Sequence, residues 1–403
     1  MSQTRPNARP HRPEAPIAMP LKIALLTYAT KPRGSVIHTL ELATALTHIG
    51  HHICIYALEK DPNGNGFGRP LPCAVNLIPA QPAPANIIDG LIHQRISEFT
   101  AALQPTLGQY DIYHAQDCIG ANALSQIQAT PIVRTIHHIE AFESPYLQQC
   151  QDRSIRHPHL CLVVSDRWQQ ALQTDYGIGA TRVVNGVDRQ RFSPRPSGEE
   201  SGIRHRYGLS GPVLLTVGGI EPRKNSLRLL QAFAQVRQKH PAAQLVIVGG
   251  ATLFDYQAYR EQFFAQVKAL GVGVGNALVL PGVIPGAELP ALYRCADAFV
   301  FPSVKEGWGL VVMEAIASGL PVVVSEQAPF TEFLGPQQAC FADPLDVGAI
   351  AAAIERALNP AIAAAVVRHS QAALTNYTWE RSAQQHVQAY RQLLKTPTEE
   401  CYA

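Results

Sequence analysis

Phe301-Pro302-Ser303-Val304-Lys305-Glu306-Gly307-Trp308-Gly309-Leu310-Val311-Val312-Met313-Glu314 is the stretch that decides how this chain reads. The apolar run ending at Phe301 predicts a strand, Gly307-Trp308-Gly309 a turn, and Leu310 onward an apolar helix. Glycines at 307 and 309 let the backbone approach a ligand closely. The helix they open presents free N–H groups and a partial positive charge to any anion above it. Glu306 and Glu314 bracket this turn, and eight residues of helical rise span roughly 12 Å. The layout suits an anionic, two-ended, hydroxyl-rich ligand such as a nucleotide sugar. On spacing alone, a solvated loop carboxylate and an ordinary helix-surface one fit equally well.

Outward from this stretch, short apolar runs alternate with longer amphipathic ones. In the first half, strands are expected at 21–27, 53–58, 74–78, 111–115, 131–136, 160–164 and 182–184, with helices at 35–49 and 86–103. Asn185-Gly186-Val187-Asp188 and the Pro- and Gly-bearing segment to Gly198 break the pattern and mark a domain exit. A second series follows, with strands at 213–217, 244–248, 277–280, 298–301 and 321–325 and helices from Ser226, Tyr256, Ala287, Leu310 and Leu345. Such alternation predicts βαβ units and parallel sheets, hence two doubly wound α/β domains with a ligand between their carboxyl ends. The expected division is a tail at 1–20, domains at 21–190 and 191–375, and a last amphipathic helix within 376–395.

The Phe-Pro-Ser lead and Glu306-x7-Glu314 resemble the donor-site signature of family 4 retaining glycosyltransferases, whose GT-B fold sets two Rossmann-like domains across a cleft. The resemblance runs from Leu21 to about Leu394, with its most specific motifs in the second half. It implies that Glu306 hydrogen-bonds the donor sugar and Glu314 the ribose. The backbone amides of Gly307, Trp308, Gly309 and Leu310 would hold the distal phosphate. The last helix is expected to cross back onto the first domain.

Val217-Gly-Gly-Ile-Glu-Pro-Arg-Lys-Asn225 leads from a strand into a helix. Arg223 and Lys224 there suit a diphosphate clamp, the lysine as a point charge and the arginine as a fork. A pair of solvated bases is the plainer alternative. The family has Gly-Arg after this strand and Lys-Gly later. Here Gly219 stands in the arginine's place and Asn225 in the glycine's, so Lys224 carries over and Arg223 is the candidate replacement. Lys31-Pro-Arg-Gly34-Ser35 resembles the family's glycine-rich loop near the donor phosphate, with Ser35 in place of a second glycine. No G-x-G-x-x-G follows any strand, which argues against a nicotinamide dehydrogenase.

Thr135-Ile-His137-His138 places His137 where the family has a histidine near the sugar 6-hydroxyl and the reacting centre. Capping or core roles stay open for this pair. His114 and Asp117, in Asp111-Ile-Tyr-His-Ala-Gln-Asp117, and His138 are candidate acceptor-side residues. Gly186 and Asp188 match a family motif with a structural role. Glu332 matches a late carboxylate at the donor end of the cleft, and capping a helix accounts for it equally well. The chain has no Asp-x-Asp pair, so no metal or other cofactor is expected.

Composition narrows the class. At 403 residues, with 46% hydrophobic and 16% charged, the chain is globular and long enough for two cores. Residues 1–20, with five prolines, read as a disordered tail rather than a signal peptide. Arg5, Arg9 and Arg12 against Glu14 account for the whole net charge of +2, so there is no nucleic-acid footprint. Eight scattered cysteines without a C-x-x-C pair point to free thiols in a reducing cytoplasm. No apolar run is long enough for a membrane span, and peripheral membrane contact stays open.

The resulting expectation is a metal-independent retaining transferase moving a hexose from a nucleoside diphosphate sugar to an acceptor hydroxyl, with His137, Lys224 and Glu306 at the chemistry. A nucleotide-sugar epimerase or a non-catalytic nucleotide-sugar-binding protein are the rivals. A glycoside hydrolase on Glu306 and Glu314 fits poorly, since one carboxylate lies in a loop and the other in a helix with no second acidic pair.

Overall fold

The computed structural model describes residues 19–61, 64–82, 88–250 and 256–395. All but the last two residues of the expected tail lie outside that range. The first sheet has seven parallel strands: β1 (Lys22–Thr27), β2 (His52–Glu59), β3 (Ala74–Pro79), β4 (Ile112–Ala115), β5 (Ile132–Ile136), β6 (Leu160–Val163) and β7 (Thr181–Arg182). Their order is β3-β2-β1-β4-β5-β6-β7. The second has six: β8 (Val213–Val217), β9 (Gln244–Val248), β10 (Leu278–Gly282), β11 (Ala298–Phe301), β12 (Val322–Ser325) and β13 (Cys340–Ala342), in the order β10-β9-β8-β11-β12-β13.

Central strands β4, β5, β9 and β11 are buried at every residue. Helices on both faces of a parallel sheet demand that, and it is why these strands read as near-continuous apolar runs. The strand order reverses between β1 and β4 and again between β8 and β11, and the crevice at such a switch point is where an open α/β sheet binds its ligand. The loops carrying Gly34, Asp117, Lys224 and Glu306 follow those four strands.

β8, β9 and β11 have the bounds expected from the sequence. Three-residue β13 and the helices Glu200–Tyr207 and Pro360–Ala373 were not foreseen. The expected strand at 182–184 shrinks to two residues in β7.

The terminal helix, Trp379–Lys395, buries Trp379, Ala383, Val387 and Tyr390 in the first domain's core, against Val36, Leu42 and Leu46 of the Gly34–His48 helix. That i, i+4, i+8, i+11 stripe is one face of a helix. The chain thus crosses between domains twice, and the two crossings touch at Gly186. A Cβ there would lie 2.2 Å from the Trp379 nitrogen. Asp188 Oδ1 ties the exit by accepting from the Gln190 and Arg191 amides. All seven described cysteines are free, and no single described helix is long and apolar enough to cross a membrane.

Candidate active site

Beyond β11 the chain brings Glu306 against the loop after β8. Lys224 Nζ (2.6 Å), Ser303 Oγ (2.6 Å) and Arg223 Nη1 (3.1 Å) all donate to Glu306 Oε1. Oε2 has no protein partner among the described residues and is not sealed from solvent. Burial alone would raise this carboxyl, yet Lys224 and Arg223 hold it below the ordinary carboxylate range. Lys224 is pushed down by burial against the pull of Glu306, and its ammonium lies 4.3 Å from the Phe301 ring centroid. Arg223 is gripped by a second carboxylate, with Nε 3.0 Å from Glu221 Oε2.

The departures from the family pattern have physical reasons. Asn225 sits at φ 61, a left-handed conformation that asparagine tolerates. Its Nδ2 donates to the Pro302 and Pro344 carbonyls at 3.0 and 2.6 Å, locking the β8 loop to the β11 loop. Gly219 sits at φ +86, and a Cβ would lie 2.8 Å from the Gly250 carbonyl oxygen. An arginine at 219 would be strained there, and the cation that joins Lys224 on Glu306 is Arg223.

Gly309, at φ +121, caps the Leu310–Ala317 helix. The Trp308 indole turns inward, donating to Met313 Sδ (3.0 Å) and stacking 4.6 Å from the Phe333 ring. Leu310 packs into the cores of both domains. Gly307 to Leu310 can therefore offer a ligand only backbone. Farther along, Tyr293 Oη donates to Glu314 Oε2 at 3.0 Å, while Oε1 has no partner among the described residues and is not sealed. Burial pushes the Glu314 carboxyl up to about 7. Each carboxylate of the pair thus has one oxygen anchored and one open.

The first-domain wall is different. His114 is fully buried, with Nδ1 2.7 Å from Tyr390 Oη and Nε2 2.7 Å from Thr135 Oγ1. No ring nitrogen is left for an acceptor. Asp117 caps the Cys118–Gln126 helix, accepting from the Gly120 amide at 2.8 Å. The acceptor-side role expected for His114 is corrected by this geometry, because both ring nitrogens are drawn into the fold's own hydrogen bonding. Asp117 keeps Oδ2 buried without a partner among the described residues, so the cap does not use up its carboxylate. His138 is half-exposed and pairs with Glu140 (3.1 Å), which also meets Lys305 of the second domain (3.2 Å).

His137 reaches the site. Its Nε2 donates to Gln116 Oε1 at 3.0 Å, and its Nδ1 has no partner among the described residues and is not sealed. Burial, then the charges of His38 and Arg134, keep the ring neutral well below the ordinary imidazole value. A Cβ on Gly307 would lie 2.2 Å from the His137 carbonyl oxygen. Glycine is therefore required where the two domains meet. Around this contact Trp168 Nε1 donates to the Glu306 carbonyl (3.2 Å). Glu332 accepts the Asp166 and Arg167 amides (2.8 and 3.0 Å), capping a first-domain helix from the second domain. Gly34 opens the first helix with nothing within 4 Å of a Cβ position.

A family profile described as Glycosyl transferases group 1 matches residues 204–372, and one described as Glycosyltransferase Family 4 matches residues 32–191. The chain belongs to the group 1 glycosyltransferases. The O-antigen chain mannosyltransferase B of Escherichia coli is 29% identical over 299 residues, covering 70% of this chain and 74% of that protein. A GDP-mannose-dependent α-(1-6)-phosphatidylinositol monomannoside mannosyltransferase of Mycolicibacterium smegmatis is 36% identical over 206 residues, 48% of this chain and 51% of that one. Among solved structures, a sucrose-phosphate synthase from Thermosynechococcus elongatus has a TM-score of 0.76 at 24% identity, covering 93% of this chain and 99% of that one. An Anabaena HepE complex with UDP-glucose has 0.74 at 20%, covering 92% and 100%. These likenesses show the GT-B fold.

Sequence reasoning about this glycosyltransferase passed over Gln116, Trp168, Tyr293 and Ser303. Ser303 and Gln116 lie inside stretches that were singled out, so their signal was proximity to a marked residue. Trp168 and Tyr293 carry no local signal, because each acts on a partner that the tertiary fold brings to it.

Proposed function

We propose that this glycosyltransferase moves a hexose, with retention at the anomeric carbon and without a metal, from a nucleoside diphosphate sugar to an acceptor hydroxyl. The observation that carries the reading is Glu306. Three donors hold Oε1, leaving Oε2 open to accept from sugar hydroxyls. Lys224 and Arg223 beside it supply positive charge for the departing diphosphate, as do the free amides at Gly309 and Leu310. Glu314, at the far end of the same segment, suits a ribose diol. Among the described residues no side chain is placed as an evident covalent nucleophile, so the acceptor proton would pass to the leaving diphosphate on the same face. His137, neutral, would orient a hydroxyl of the sugar.

The names of several relatives make a mannosyl donor the first to try. The test is release of nucleoside diphosphate from a panel including GDP-mannose and UDP-glucose, with chelator present, followed by NMR of the product anomer. Turnover with the donor's own anomeric configuration supports the reading. Inverted product, or loss of turnover on chelation, overturns its finer part. Interconversion of donor sugars without an acceptor would favour an epimerase.

A further inference from the structure

The candidate histidine does not stand alone. Behind it lies a chain of buried polar groups that reaches the terminal helix. His137 Nε2 donates to Gln116 Oε1 (3.0 Å), Gln116 Nε2 lies over the face of the His114 ring, 3.1 and 3.5 Å from its two nitrogens, and His114 Nδ1 is hydrogen-bonded to Tyr390 Oη (2.7 Å). Thr135 Oγ1 also lies 2.7 Å from His114 Nε2. Gln116, His114 and Tyr390 are each at most 1% exposed. The π face of the His114 ring takes an N–H and not an amide oxygen, and an amide has one accepting and one donating end. With its nitrogen committed to His114, Gln116 can offer only oxygen to His137. The proton of the neutral His137 ring is then confined to Nε2, and Nδ1 is left as an acceptor that is not sealed.

We propose that Gln116 is a positioning residue that fixes the tautomer of His137, and that the terminal helix secures it through Tyr390 and His114. The assignment rests on the glycosyl-transfer reading above and adds how the active site is set. It also gives the crossing helix a role beyond closing a core. The helix that begins where the second domain ends supplies the last group of a chain that ends at the sugar site. A histidine's other nitrogen sets what its reacting nitrogen can do. A tautomer flip would place a donor where an acceptor is needed, and the ring could no longer accept from a sugar hydroxyl. The other charged or titratable neighbours of the ring are His38, Arg134 and His138. None of them is hydrogen-bonded to its nitrogens among the described residues.

The test uses the full-length protein, with Gln116→Leu, Gln116→Glu and Tyr390→Phe. Histidine ¹⁵N–¹H correlation spectra, with His137 assigned by its loss in His137→Gln, read the tautomer without any turnover. Nucleoside diphosphate release gives kcat and KM for the donor. Expected in the wild type is the Nε2–H form alone. Gln116→Leu should give a mixture, with kcat down about tenfold to a hundredfold and donor KM within about twofold. Gln116→Glu still accepts from Nε2–H, so it should recover much of kcat. Its negative charge should also move the acid limb of the kcat profile to higher pH, a shift that a merely structural residue would not cause. Tyr390→Phe should fall between the wild type and Gln116→Leu.

An Nδ1–H tautomer in the wild type, or an unchanged tautomer in Gln116→Leu, overturns the proposal. So does a loss of kcat that only tracks a loss of folded protein by circular dichroism. A wild type that shows the Nε2–H form and binds nucleoside diphosphate, yet releases none from any nucleotide sugar, sinks the transfer reading. The positioning role would fall with it.

Discussion

The two walls of the cleft use polar side chains in opposite ways. On the second-domain wall, Glu306 and Glu314 each anchor one oxygen and keep the other open, and two cations crowd a single carboxylate. On the first-domain wall, His114 spends both nitrogens on the protein and Asp117 closes a helix end. His137 bonds one nitrogen to Gln116 and keeps the other without a partner among the described residues. One wall is poised to bind charge, and the other is wired to hold a single ring still. Polar residues at strand ends are therefore not equivalent: what their atoms already do decides which are available.

The largest break in this contrast should come from Lys224→Ala. Losing a cation at the developing negative charge should lower kcat by about 10²–10³. Glu306 keeps Arg223 and Ser303, so the stability lost should stay below the roughly 3–5 kcal/mol of an unpaired buried charge, read by denaturant unfolding. Unchanged kcat with intact folding would show that Lys224 is not at the leaving group.

Gly307→Ala tests where the walls touch. Its Cβ must displace the His137 carbonyl, now 2.2 Å away, so kcat/KM should fall by about 10² through misplacement alone. Near-normal kinetics would mean that the two loops are not in contact during turnover.

Glu314 gives a pH signature. Its carboxyl, raised to about 7 by burial, is mostly protonated below that pH, and a ribose diol needs it as an acceptor. Donor affinity measured by calorimetry should weaken by nearly tenfold per unit below pH 7, and Glu314→Gln should flatten the profile. Because the folded pKa lies above the unfolded one, this group contributes stability below the ordinary carboxylate range and loses it as pH rises toward 7. Donor affinity independent of pH between 5 and 8 would remove Glu314 from the ribose.

Smallest is Glu332→Ala, which uncaps the Asp166–Ala171 helix across the interface. About 1 kcal/mol should be lost, with a modest fall in Tm. An unaltered Tm would show that solvent replaces this cap at no cost.

Much of this was legible in the sequence, for reasons that differ along the chain. β8, β9 and β11 were bounded correctly because a strand buried on both faces must be an unbroken apolar run, as Leu-Val-Ile is in β9. Glu306, Lys224 and Gly307 were legible because charge and glycine between apolar elements have few structural uses. Asp117 was less legible because an aspartate just before a helix looks the same whether it caps or binds. His114 misled because imidazole is as much at home bonded inside a core as in a cleft.

By itself the sequence determined the two parallel-sheet domains, the exit near Asn185 and the paired carboxylates. Each depends on residues within about one βαβ unit, where periodicity and turn chemistry are local. The tertiary structure alone decided which polar atoms stay open. His114 meets Tyr390 across 276 positions, and Glu332 meets Asp166 across 166. Such pairings exist only once the domains have packed and the last helix has crossed back, because no local pattern records which distant partner will claim a nitrogen.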